Sequence, residues 1–252
     1  MNHTNATRDF HVVSLEEASR VNLQERMDTK FVFPATQIPE LFGALQPYYD
    51  LLRIDGHVDQ EYHSQYFDLA DMGLYLQHHN GRRNRVKLRT RSYVCSGLKY
   101  FEIKKKANTG KTIKMRIPIE TQAQPAEYPL SRLMLDSTGI LPGNIFPSLE
   151  VNFTRFTFID KEFHDRATVD VELRVASEGE TFTFQGIAIA EVKQDRLNGS
   201  SHFIQALKRQ GINPMSFSKY CMGIASTHQN IRKNRFLQKQ RVLDKMMNDN
   251  AG

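Results

Sequence analysis

Residues 85–91, RVKLRTR, set a long cation at every second position: Arg85, Lys87, Arg89 and Arg91. FEIKKK (101–106) follows, and the same step recurs at Lys114 and Arg116 in KTIKMRIPI (111–119). Guanidinium and ammonium groups in a row make charge-assisted, often bidentate contacts with phosphate oxygens. From Arg82 to Arg116 there are thirteen Lys/Arg and a single acid, Glu102, a local net charge of +12. The whole chain carries +6, so the remainder is −6. A solvated lysine-rich surface scatters acids among its bases. A basic stripe in an otherwise acidic protein points to a localised polyanion partner.

A few carboxylates join the same alternation. Glu102 shares a face with Lys104, and Glu191 with Lys193. On 166–174, Arg166, Thr168, Asp170, Glu172 and Arg174 are expected on one side, with Val169, Val171 and Leu173 on the other. Carboxylates among cations can hold a hard divalent ion, which prefers oxygen ligands and bridges protein to phosphate. Metal plus cations suits phosphoryl transfer, where catalysis is largely positioning and charge neutralisation. Nucleic acid would also satisfy the charge. It ranks lower because the aromatics fall mainly on the apolar faces, away from where bases would stack. There is no Walker A loop and no GxGxxG. The histidines include His78 and His79 but no pair at ligand spacing beside a cysteine, and Ser218 and Cys221 show no base partner.

The elements that must carry these residues are mostly strands. Period-two patterning predicts them at 27–33, 61–68, 84–94, 98–106, 111–119, 148–159, 166–175 and 180–194. Short turns such as ANTGK (107–111) favour antiparallel pairing. Helices are few: 36–46, a short one near 130–137 among prolines at 118, 125, 129, 142 and 147, and 200–210 capped by Ser200 or Ser201. The tail, 228–248, carries Arg232, Lys233, Arg235, Lys239, Arg241 and Lys245 on a weak apolar stripe, and is expected to be a partly free basic helix able to dock on anionic lipid or an acidic protein surface. Charge of both signs on one face of many strands cannot be an oil core. In an open sheet that face lies in water; in a closed barrel it becomes a charged lumen, with the apolar faces turned outward under helices.

Composition adds bounds. At 252 residues, 40% hydrophobic and 25% charged, the chain suits one large domain with appendages. No apolar run approaches the ~18 residues of a spanning helix. The N-terminus has no apolar signal region, and Cys95 with Cys221 allows at most one bridge. A reduced, cytoplasmic setting is expected, peripheral to the inner face of a membrane if the tail docks.

Taken in order, TKFVF (29–33), SQYFD and LYL (64–76), KLRTRSY (87–93), FEIKKK (101–106), KMRIPI (114–119), SLEVNFTRFTF (148–158), RATVD (166–170), AEVK (190–193) and FSKYCMG (217–223) resemble the VTC domain. This is the polyphosphate polymerase domain of the vacuolar transporter chaperone family, within the triphosphate tunnel metalloenzymes. The resemblance spans roughly residues 20–225, leaving 1–19 as an N-terminal extension and 226–252 as a basic helical tail. It implies a mainly β (α+β) fold: an eight-stranded antiparallel tunnel with a charged lumen and peripheral helices. By motif, Lys30, Arg89, Arg91, Lys104, Lys114, Arg155, Arg166 and Lys219 match the catalytic set, with Lys87, Arg116 and Lys193 as further phosphate ligands. Glu191 matches the metal-binding glutamate, Glu102 and Glu172 being secondary candidates for Mn²⁺ or Mg²⁺. The first strand reads ERMDTK, without the E-x-E-x-K of the adenylate-cyclase/thiamine-triphosphatase branch. No SPX-like regulatory domain and no membrane segment are expected. The implied activity is an ATP-dependent polyphosphate polymerase. Its alternatives are a metal-dependent inorganic or nucleoside triphosphatase, and a non-catalytic polyphosphate-binding module acting with a membrane-protein partner.

Overall fold

Alternating sequences pair into a sheet when one face can be buried, and here both faces are put to use. The computed structural model describes residues 3–20, 26–119, 130–195 and 201–249. In chain order the first half comprises β1 (Val12–Val13), α1 (Leu15–Ala18), β2 (Arg26–Pro34), α2 (Ile38–Leu45), β3 (Tyr49–Leu52), β4 (Gln60–Asp68), α3 (Gly73–His79), β5 (Arg85–Tyr93), β6 (Lys99–Lys106) and β7 (Thr112–Pro118). The second half adds α4 (Leu130–Thr138), β8 (Phe146–Asp160), β9 (Asp165–Ser177), β10 (Glu180–Thr183), β11 (Ile187–Asp195), α5 (His202–Arg209), α6 (Lys219–Thr227) and α7 (Leu237–Asp249).

The strands form one sheet in the order β2-β11-β9-β8-β4-β5-β6-β7, with β1, β3 and β10 appended. All pairings along that path are antiparallel. The sheet does not close, since β2 and β7 are the two ends of the path. It curls instead, bringing Lys104 of β6 within electrostatic reach of Asp28 on β2 and Lys193 on β11. Part of the seam is spanned by the segment before α6. Met215 N–H donates to Lys30 O (2.8 Å), and Lys87 Nζ donates to Ser218 Oγ (2.8 Å). The expected closed barrel is therefore an open tunnel with a strap across one stretch of its seam.

The convex face is apolar and covered. Phe31, Phe33, Phe156, Phe158, Val169 and Ala190 pack beneath α2 and α5, and Val86, Leu88, Phe101 and Ile103 pack with Met134 of α4. The concave face is charged over only part of its length. At the other end Val32, Leu149, Val151, Leu173, Val175 and Ile189 bury α6. The switch on β9 comes from a bulge opposite Phe153, where Asn152 pairs with Arg174 but Thr154 with Val171. One extra residue reverses the facing of everything beyond it. Leu173 and Val175 thereby turn inward, and Arg174 is exposed on the outer side. This corrects the expectation that Glu172 and Arg174 share a face with Asp170.

The tail is not free. Leu243 of α7 is 1% exposed and joins the core that contains α6, with Met246 and Met247 packed beside it. The expected strand 180–194 is two, β10 and β11. Ser201 caps α5, whereas Ser200 lies outside the described residues, as do the prolines at 125 and 129. Both cysteines are free thiols.

Candidate functional site

The alternation that set a cation at every second position puts Lys87, Arg89 and Arg91 of β5 on the concave face, paired in register with Lys104, Glu102 and Tyr100 of β6. Glu102 and Lys104 pair in turn with Arg116 and Lys114 of β7. From the other end of the sheet, Lys30 pairs with Glu191, Glu191 with Thr168, and Lys193 with Arg166. Arg155 stands opposite Asp170. Lys219 arrives from α6. Its N-cap Ser218 accepts both Cys221 N–H and the Lys87 ammonium, so the helix end is fixed against the tunnel wall.

Three inward carboxylates each hold two cations. Glu102, 2% exposed, takes Arg89 Nε and Nη2 (2.7 and 2.5 Å) and Lys114 Nζ (2.7 Å). Asp170, equally buried, takes Arg155 through Nε and Nη2 (2.5 and 2.8 Å) and also Lys219. Glu191 takes Lys30 and, at 3.6 Å, Lys193. Against the burial that would raise it, the charges of Arg89 and Arg91 hold the Glu102 carboxyl down at about 2. Asp170 is likewise held below the usual carboxylate range by Arg155 and Lys219.

The cations outnumber these acids. Burial, then the neighbouring Arg89, lowers Arg91 to about 10. Desolvation by the surrounding wall, then Lys87, lowers Lys104, whose side chain keeps solvent contact, to about 8. Lys30 is depressed by burial and by Lys219, and Arg166 by burial. A wall that penalises its own positive charge is stabilised by an incoming anion.

Aromatic rings brace the guanidinium planes. Arg91 and Arg155 lie 5.2 and 5.0 Å from the Tyr62 ring centroid, Lys219 Nζ lies 4.3 Å from that of Phe153, and Arg116 4.9 Å from that of Tyr100. Tyr66 Oη accepts from Arg89 Nη1 at 2.8 Å, and its ring stacks on Tyr220. Aromatics fall mainly on the apolar face, as expected, and Tyr62, Tyr66, Tyr100 and Phe153 are inward exceptions.

Glu172 does not join the other carboxylates. It sits at the bulge with φ +56°, exposed, accepting a hydrogen bond from Thr154 Oγ1 (2.9 Å). Among the described residues no group of three His, Cys, Asp or Glu side chains could hold a metal ion. Lys30 sits on Glu191 Oε2, whereas Lys193 stands 3.6 Å from Oε1, beyond hydrogen-bond distance; a divalent ion taking that one carboxylate would complete its shell with phosphate oxygens and water. The sequence pattern placed Asp170 on the charged face without giving it a role and set Ser218 aside for want of a base partner; Tyr62, Tyr66 and Phe153 carried no signal.

The VTC domain model matches residues 25–133 and 137–228. The chain belongs to the VTC domain family. No curated protein matches this VTC domain in sequence. Among solved structures, a candidate adenylate cyclase of Bacillus halodurans superposes with TM-score 0.52 at 15% identity, covering 77% of this chain and 94% of that one. A candidate adenylyl cyclase of Hippeastrum, described as having a dominant triphosphatase activity, superposes with TM-score 0.52 at 16% identity, covering 82% and 98%. At these identities the likeness is one of fold: this VTC domain shares the mainly antiparallel, open tunnel-like sheet of those structures. None of its described helices is long and apolar enough to cross a membrane.

Proposed function

We propose that this VTC domain is an ATP-dependent polyphosphate polymerase. The observation that carries the reading is the pairing of Glu102, Asp170 and Glu191 with two cations each. Hydrolysis requires a base or a positioned partner to activate water. Glu102 and Asp170, held ionised far below neutrality, are poor bases. Transfer to a polyphosphate end needs no base, because the attacking phosphate oxygen is already deprotonated at neutral pH. That oxygen bonds to the γ-phosphorus of ATP, the β–γ phosphoanhydride bond breaks, and ADP leaves with the electron pair.

Arg91 and Arg166 offer forked donors to the phosphate oxygens, and Arg89, Arg155, Lys30, Lys87, Lys104, Lys114, Arg116, Lys193 and Lys219 supply the remaining positive charge. The inward run from Arg85 to Arg91 extends about 20 Å at ~3.3 Å per residue, longer than a triphosphate. Glu191 is the residue that would hold Mn²⁺ or Mg²⁺, which when bound would neutralise charge on the moving phosphoryl group.

A triphosphatase is the second reading, favoured by the fold shared with the Hippeastrum protein. Incubation with ATP and Mn²⁺ separates the readings. Long polyphosphate with ADP supports polymerisation, orthophosphate without polymer supports hydrolysis, and phosphate binding without turnover leaves a binding module.

A further inference from the structure

Two long stretches contain no Asp or Glu: 72–101 and 196–243. They are far apart in sequence, and the fold brings them together outside the tunnel. Tyr75 Oη donates to Arg232 O (2.9 Å), Arg235 N–H donates to His79 Nε2 (3.4 Å), and Arg235 Nη1 donates to His79 O (3.5 Å). Gly81 packs against the same guanidinium, 3.4 Å from where a Cβ would stand. Arg82 and Arg83 follow directly, both exposed, as are Arg232 and Arg235. Arg85 Nη1 donates to Arg82 O at 2.8 Å and pairs in register with Lys106. The patch therefore runs without interruption into Lys87 and the cations of the tunnel wall. Among the described residues, Arg82, Arg83 and Arg232 make no ion pair.

We propose that Arg82, Arg83, Arg85, Lys106, Arg232 and Arg235 form a collar that binds inorganic polyphosphate extending beyond the tunnel. This rests on the polymer-handling reading of the tunnel, which it deepens by giving the chain a path outside it. Continuity selects the ligand: a flexible polyanion lying along Lys87 and Arg85 meets the collar next, with no Asp or Glu between Arg82 and Lys87 in the sequence. An anionic membrane would match the charge but not the continuity with a concave wall. Arg232 and Arg235 lie beyond the residues matched by the family model, so this part of the collar is an addition to the domain.

The test is equilibrium binding, without nucleotide, of tripolyphosphate and of long-chain inorganic polyphosphate to the full chain. The variant is the triple substitution Arg82→Ala, Arg83→Ala, Arg232→Ala, whose side chains are exposed. Long-chain affinity should fall roughly tenfold or more. Its dependence on log salt should flatten by roughly one unit per arginine. Tripolyphosphate affinity and Tm should stay as in the parent, and Lys at all three positions should restore most long-chain binding. Unchanged long-chain affinity overturns the collar, as does an equal loss for both ligands. Loss of binding to phosphatidylserine vesicles with polyphosphate binding intact would reassign the patch to a membrane. ATP turnover is measured separately, so a chain that makes no polymer would end the polymerase reading while the collar is still judged on binding.

Discussion

At the residue level the tunnel is an excess of cations held in place by a few shared carboxylates, and the two partners should fail differently. Asp170 separates Arg155 from Lys219. Asp170→Asn leaves two like charges buried together, a change that costs about 3–5 kcal/mol when one partner of a buried pair is removed. Bound phosphate supplies the missing negative charge. The variant should therefore lose Tm when empty and recover a larger share of it with tripolyphosphate than the parent does. An equal ligand-induced shift in both proteins would mean that Asp170 is only a packing element. Lys104 contributes to the pH dependence. Desolvation by the surrounding wall and the charge of Lys87 bring its ammonium to about 8, so it is charged below that pH and neutral above it. Phosphate needs the charged form. Affinity for tripolyphosphate should thus fall in steps as pH rises, through about 6 where Lys30 loses its charge and again through about 8 with Lys104, and Lys104→Arg should move only the upper step to higher pH. Titration calorimetry across that range reads both curves; identical profiles would remove Lys104 from the binding wall.

Elements were legible where one periodicity ran uninterrupted. The strands carrying Arg85–Arg91, Lys99–Lys106 and Lys114–Arg116 lie within a residue or two of their expected ends. What escaped were features that interrupt a period or have none. The β9 bulge is one residue long and announces itself by neither Gly nor Pro. Helix α6 is buried on nearly all sides, so KYCMGIAST shows no amphipathic stripe. Both make predictions. At Gly223 a Cβ would lie 2.5 Å from Leu149 Cδ2 and 3.2 Å from Val175 Cγ1, both in the core. Gly223→Ala should push α6 off the sheet, costing about 1–3 kcal/mol. Because α6 carries Ser218 and Lys219, tripolyphosphate binding should weaken too; a stable variant with parental affinity would mean the helix end is placed independently of its packing. Glu172 holds the left-handed conformation that glycine adopts without strain. Glu172→Gly should raise stability by about 0.5–1 kcal/mol and leave phosphate binding unchanged, as expected of a carboxylate outside the tunnel. Lower denaturant midpoints would show that the Thr154 hydrogen bond outweighs the strain.

For the whole molecule, the sequence conveyed the charged concave face but not how the tunnel is bounded. Alternation specifies which residues share a face, whereas closure depends on curvature and on which segment reaches the seam. The Pro214–Ser218 strap and the packing of α7 depend on contacts distant in sequence. The tail shows the difference most sharply: its cations read as a solvated or membrane-docking helix, yet Leu243, Met246 and Met247 complete the core around α6, and Gln240 Nε2 donates to Ala225 O in α6 (3.2 Å). Lys239 Nζ also donates to Ser216 Oγ, within the strap. Truncation before Leu237 should therefore lower Tm and, by loosening α6 and the strap, weaken tripolyphosphate binding even though no tunnel residue is removed. Leu243→Ala should reproduce much of this, at a cost of about 2–5 kcal/mol for a buried leucine. Neutralising the exposed Arg241 and Lys245 should leave Tm and tripolyphosphate affinity unaltered, since solvated surface charges contribute little to stability. If the charge-neutral tail behaves like the truncation while Leu243→Ala behaves like the parent, the helix acts through its charges and not as part of the tunnel's core.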